Sequence, residues 1–343
     1  MSIPYRVRKG MNRFFVTLTV LLVIAAAGLT TWFVWLSRFV VYTQDGARFD
    51  FQLGNFEQGV LAQPPQQQET VFIQYGDENA ADKEENTQLK QLSGYSVSLK
   101  MLESDFDGVK AMLEALPKGS TVMLDMKTVK SEYLYDSGLG RGYDKVDTAQ
   151  MAQLIQTLQN KGCYLIAAVP SFQEYWYILD DQTTRVPYGL PKKGGGGSLW
   201  LDTAGPNYWM NPASSGTLNL LVQVATQLRE MGFQEVLFQD FRFPNTDKIS
   251  FSGDKTAALN QTAQTLVQAC ASNSFTVSFG ADTGLTLPEG RCRLYLKNVS
   301  AADINSVVSQ VNVTDAQKRV VFLTDLKDTR FDQYGVLRPL ESE

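Results

Sequence analysis

The stretch 232–244, GFQEVLFQDFRFP, carries an apolar run of Val236, Leu237 and Phe238 into Asp240 and Arg242, and then turns at Pro244. A buried strand that delivers an acid and an arginine at its carboxyl end is how α/β barrels place chemistry. A second stretch of this kind is TVMLDMK at 121–127. Period-two alternation puts Met123, Asp125 and Lys127 on one face, with Val122, Leu124 and Met126 on the other. An acid and a lysine on the inward face of such a strand form either a functional site or an internal ion pair closing the barrel top. Several acids at barrel-strand ends would be enough for acid–base chemistry. The acids at expected strand ends are Asp125, Glu174, Asp240, Asp282 and Asp325.

The composition removes other chemistries. The chain has no histidine, which excludes Ser-His-Asp and Cys-His catalysis and the common zinc sites. Cys163, Cys270 and Cys292 lack metal-ligand spacing and sit in apolar, periodic surroundings, so they are expected to be buried free thiols; nothing supports a Cys270–Cys292 bridge. The GGGG run at 194–197 lacks the Lys-Ser/Thr and helix of a phosphate loop and reads as a flexible loop. No motif indicates a metal or an organic cofactor.

The elements that must position these residues alternate from Gly94 onward. Strands are expected at Tyr95–Leu99, Thr121–Lys127, Cys163–Val169, Glu235–Asp240, Phe275–Gly280, Arg293–Leu296 and Arg319–Leu323. Amphipathic helices are expected at about 105–116, 147–160, 214–231, 254–272 and 301–310. Strand–helix alternation over this length implies a TIM-like (β/α)8 barrel, either complete or in an incomplete or divergent form, with an open doubly wound sheet as the alternative. Seven strands are evident. The tail after Asp325 offers no obvious eighth, so either Val71–Tyr75 closes the barrel or the barrel is incomplete. The stretch from Pro170 to Pro212 holds Phe172, Tyr175, Trp176, Tyr177, Tyr188, Trp200, Tyr208 and Trp209. Long connections are usually functional, and aromatic faces suit both sugar rings and ordinary packing.

Residues 14–36 run 23 positions without a charge, more than the ~20 needed to span a bilayer. Residues 1–43 hold five cations and no acid in a chain of net charge −5, so the remainder carries −10. Four of those cations precede the apolar run, which predicts a single-pass membrane anchor with a cytoplasmic basic tail at 1–13 and an extracytoplasmic body. A cleaved signal peptide fits less well, because the run is too long and lacks a small-x-small site. Residues 38–53 look extended around a QDG turn. With the Pro- and Gln-rich and acidic stretches that follow, residues 37–93 read as a stalk before a barrel domain at 94–343. The acidic body argues against nucleic acid as a partner.

Four motifs in order bear a family resemblance. GFQEVLFQDFRFP resembles the GFDEIQFDYVRFP pattern of a bacterial glycoside-hydrolase-like domain family of unknown function. TVMLDMK resembles that family's VVIDVKD, CYLIAAVPSFQE its YVIARIVVFKD, and YWMNPAS its WVNPYS. The resemblance covers about residues 94–245 and implies a TIM barrel, an envelope location and a polysaccharide or oligosaccharide ligand. Asp125, Lys127, Trp209, Asn211, Pro212, Gly232, Glu235, Phe238, Arg242, Phe243 and Pro244 keep the family residues. The family's fourth-strand aspartate is Gln239 here, with an acid one place later at Asp240; its third-strand arginine is Ala168, and a further acid is Thr128. Two readings follow. In one, Asp125 and Asp240 form a catalytic pair, with Lys127, Glu174, Trp176, Trp209, Asn211, Gln239, Arg242 and Asp282 on the substrate. In the other, the barrel binds glycan or an envelope partner without hydrolysis. A scaffold with neither role is the weakest of the three. Protein partners are not specified by any of this.

Overall fold

Eight short apolar strands, each bounded by a cap or a turn, pair in chain order and in parallel. They are β1 (Ser93–Val97), β2 (Thr121–Asp125), β3 (Tyr164–Pro170) and β4 (Glu235–Gln239), followed by β5 (Thr276–Gly280), β6 (Leu294–Lys297), β7 (Val320–Leu323) and β8 (Gly335–Pro339). The last strand pairs with the first, Leu337 beside Gly94, so the sheet closes into a barrel. The computed structural model describes residues 40–43, 46–49, 89–175, 188–202, 207–311 and 313–341. The chain divides into two units, Met1–Ile73 and Gln74–Glu343. The described part of the first is an antiparallel pair of strands, Val40–Thr43 against Gly46–Phe49; Gln44 and Asp45 of the expected QDG turn lie outside the described residues. Among the described residues no helix is long and apolar enough to cross a membrane; residues 14–36 lie outside them.

The closing strand corrects the sequence reading. Val71–Tyr75 lies outside the described residues, and the eighth strand is Gly335–Pro339, in the tail where none was evident. Its signal was weak because it begins at a glycine, ends at a proline and carries Arg338 on its outer side. Val336 and Leu337 alone are its buried aliphatics.

Three of the helices named below start where an aspartate side chain accepts from the free amides of the first turn. The helices are α1 (Leu99–Ser104), α2 (Phe106–Ala115), α3 (Thr148–Asn160), α4 (Ser215–Glu230), α5 (Lys255–Cys270), α6 (Ile304–Val311) and α7 (Ala316–Arg319). Asp105 accepts from Gly108 N at 2.9 Å, Asp147 from Ala149 N at 2.7 Å, and Asp254 from Ala257 N at 3.0 Å. α2, α3 and α5 lie within a residue or two of the amphipathic segments expected at 105–116, 147–160 and 254–272.

Alternation then sorts the core into two. Outward residues such as Val236, Phe238, Val277 and Phe279 pack against the helices. Inward residues Met123, Ile166, Ala168, Leu237, Tyr295, Val321 and Leu337 fill the barrel. The three cysteines are buried free thiols, as expected.

Candidate functional site

At the carboxyl end of the barrel, three alternate strands each end in a polar inward residue: Asp125 on β2, Gln239 on β4 and Lys297 on β6. They form one hydrogen-bonded chain across the mouth. Lys297 Nζ donates to Gln239 Oε1 at 2.8 Å, and Gln239 Nε2 donates to Asp125 Oδ1 at 3.0 Å. Leu99 N, at the start of α1, donates to Asp125 Oδ2 at 2.9 Å. An ammonium can only donate, so Lys297 fixes which way the Gln239 amide faces and aims its N–H at Asp125. Burial pushes the Asp125 carboxyl up from its ordinary value, against the lowering pull of Leu99 N–H, Gln239 and Lys297. The flanking inward positions are small, Ala168 on β3 and Gly280 on β5.

Asp240 is not part of this chain. The strand stops at Gln239, and Asp240 takes a left-handed backbone conformation, φ 50°. Its main-chain carbonyl accepts from Ser171 Oγ and from Arg242 N, both at 2.8 Å, while the residue itself is exposed. Asp125 therefore meets an amide where the expected pairing put a second acid. That left-handed turn is non-local in origin: Phe241 N bonds to Gly280 O of β5 at 2.8 Å, and Phe241 packs on Phe172 and Phe279 with ring centroids at 4.8 and 4.7 Å.

Lys127 and Glu174 are brought together, but away from solvent. Both are buried, at 5% and 1% exposure, and they form an ion pair with the ammonium 5.6 Å from the Tyr133 ring centroid. Burial raises the Glu174 carboxyl, and Lys127 opposes the shift. Their expected contact with substrate is replaced by the internal ion pair that was the other reading of Lys127. Asn211 accepts from Ala213 N at 3.1 Å and shapes the turn into α4, a structural task. Asp282 is exposed on the loop after β5, and Trp176 lies outside the described residues.

The aromatic stretch after β3 folds into a three-stranded antiparallel sheet. Asn207–Trp209 lies in the middle, between Gln173–Glu174 and Leu201–Asp202. Phe172 and Trp209 become packing residues, 0% and 1% exposed. The glycine run, expected as a loose loop, is a hydrogen-bonded turn. Gly195 N bonds to Lys192 O, Ser198 N to Gly195 O and Lys192 N to Ser198 O, with Gly194, Gly196 and Gly197 at positive φ. Lys193 N and Lys248 O, at 2.7 Å, tie this turn to the segment after β4. Between the two lies a cleft of about 600 Å³ lined by Lys192, Trp200, Leu201, Asp202, Trp209, Arg242 and Lys248. The Arg242 guanidinium sits over the Trp209 ring at 5.2 Å. Of the expected substrate residues, Trp209 and Arg242 line this cleft and Gln239 reaches the mouth.

Sequence reasoning missed Lys297, Lys192 and Lys248, whereas Trp200 stood among the aromatic residues expected to serve sugar binding or packing. Lys297 had a signal, since alternation along RLYLK puts Arg293, Tyr295 and Lys297 on one face; ending the strand at Leu296 hid it.

A family model described as "Putative glycosyl hydrolase domain" matches residues 108–283, about half of the chain. The chain belongs to this family. The match takes in Asp125, Glu174, Gln239 and Arg242 and ends before Lys297. No functionally curated protein matches the chain. Among solved structures it is similar to a hypothetical protein from Ruminiclostridium thermocellum, at 18% identity and TM-score 0.45, covering 57% of this chain and 100% of that one. It is also similar to the glycoside hydrolase domain of PelA from Pseudomonas aeruginosa, at 12% identity and TM-score 0.43, covering 74% and 95%. A sulfoquinovosidase from E. rectale matches at 12% identity and TM-score 0.45, covering 70% and 40%.

Proposed function

We propose that this family member binds a polysaccharide at the carboxyl face of its barrel and no longer hydrolyses it. The observation that carries the reading is the Gln239 amide donating to Asp125. Cleavage by the two-carboxylate route needs one group to protonate the leaving oxygen and another to attack the sugar or activate water. An amide does neither. Asp125 also faces two N–H donors, which hold it as an acceptor rather than as a group ready to release a proton. The apolar, uncharged run at 14–36 and the cations around it support a membrane-tethered protein with the barrel outside the cytoplasm, where an envelope or exported polysaccharide is the ligand.

A second reading, a working hydrolase with Asp125 as general acid, draws on one observation: burial raises the Asp125 carboxyl, as a general acid requires. Titration calorimetry and a reducing-end assay on a panel of envelope and storage polysaccharides separate the two. The full-length chain is expected to bind without turnover. Gln239→Asp, which restores the family acid and shortens the side chain by one methylene, draws the carboxylate back from Asp125 toward the separation of about 5 Å used by glycosidases. Turnover is expected to appear in Gln239→Asp and to vanish again in Gln239→Asp/Asp125→Asn. Turnover by the wild type, lost in Asp125→Asn, would reverse the order of the two readings.

A further inference from the structure

We propose that the cleft beside the mouth selects a polyuronate, with Arg242, Lys192 and Lys248 taking its carboxylates; this rests on the polysaccharide reading above. The protein carries a net charge of −5, yet three cations and one acid, Asp202, line this cleft. Among the described residues none of the three cations forms a side-chain ion pair. Arg242 is held by its ring contact with Trp209 and spends one N–H on Phe243 O at 3.2 Å, so most of its donor fork stays open. A planar guanidinium fixed by a ring presents two parallel donors, which suit a carboxylate better than a hydroxyl.

A second observation points the same way. Trp209 is 1% exposed, lines the cleft, and its Nε1–H has no hydrogen-bond partner among the described residues. A buried donor left unpaired costs about 1–3 kcal/mol, which marks this wall of the cleft as one that the described groups leave incomplete. Leu201, 39% exposed, supplies the apolar patch on which the face of a sugar ring rests. Solvated surface lysines alone would explain Lys192 and Lys248, but not the open fork of Arg242 above an unsatisfied indole.

The test is calorimetric titration of the full-length chain in detergent with oligogalacturonate, its fully methyl-esterified form, a sulfated oligosaccharide of similar length and a neutral glucan. The acid is expected to bind at least about tenfold tighter than the ester and to weaken with salt. Arg242→Gln is expected to lose about tenfold, Arg242→Lys less, and Lys192→Gln/Lys248→Gln chiefly to flatten the salt dependence. Unchanged thermal unfolding of these variants confirms that they fold. Equal binding of acid and ester, preference for the sulfated chain, or full affinity in Arg242→Gln would overturn the inference while leaving a glycan-binding barrel in place. No binding of any of the four would overturn this inference; no binding across the wider polysaccharide panel either would overturn the reading beneath it as well.

Discussion

The two ends of the barrel hold two polar networks built on the same strands, and they differ in how completely each is satisfied. At the amino end, Glu235 starts β4 and is fully buried. Its Oε1 accepts from Ser278 Oγ at 2.6 Å and Tyr295 OH at 2.8 Å; its Oε2 accepts from Tyr164 OH at 2.9 Å and pairs with Arg293. Arg293 spends its other donors on Lys318 O at 3.0 Å and Lys90 O at 2.9 Å. Burial lifts the Tyr164 hydroxyl to about 12, with Glu235 adding to the shift, and burial and Glu235 likewise hold the Tyr295 hydroxyl well above its ordinary value. At the carboxyl end, Asp125 is half-buried and Lys297 exposed, and each has capacity to spare. Saturation at one end and open valences at the other indicate a plug and a mouth: the first holds the strands, the second is left for a ligand.

The largest expected effect tests the plug. Glu235→Gln strands the buried Arg293 charge and is expected to cost about 3–5 kcal/mol in denaturant unfolding, whereas Glu235→Leu/Arg293→Met recovers most of it. A cost below about 1 kcal/mol for Glu235→Gln would erase the contrast between the ends.

Asp125→Asn, in the mouth, is expected to change stability by no more than about 1 kcal/mol at neutral pH. Its sign depends on pH. The folded carboxyl titrates above its ordinary 3.8, so the stability it contributes is present below that value and is lost as pH rises through the raised one. The unfolding free energy of Asp125→Asn should therefore gain on wild type across that window and stay level beyond it. A gain in the opposite direction would mean that the mouth stabilises the ionised acid.

The smallest expected effect is Lys297→Met, below about 0.5 kcal/mol because the ammonium is exposed. It should nonetheless raise the Asp125 titration point observed by carboxyl NMR, since Lys297 pulls that value down and orients Gln239. No movement would show that the chain across the mouth does not transmit.

Much of this was legible in the sequence. Period-two alternation named the inward set Met123, Asp125 and Lys127 on β2, and amphipathic periodicity marked α2, α3 and α5. These are short-range properties: a residue's face in a strand follows from its neighbours two places away, and in a helix from those three and four away. The motifs likewise placed Asp125, Gln239 and Arg242 at the carboxyl end of the barrel. The tertiary structure alone decided the rest. Which strand closes the barrel depends on β1 finding β8 more than two hundred residues later, a pairing that a glycine-to-proline stretch does not advertise. Lys127 pairs inwardly because the sheet after β3 covers it with Glu174. Asp240 turns outward because β5 and two phenylalanine rings hold its turn, and Asp125 meets an amide oriented by a lysine from β6. Each of these outcomes is set by groups remote in the chain, and local pattern carries no record of which remote group arrives.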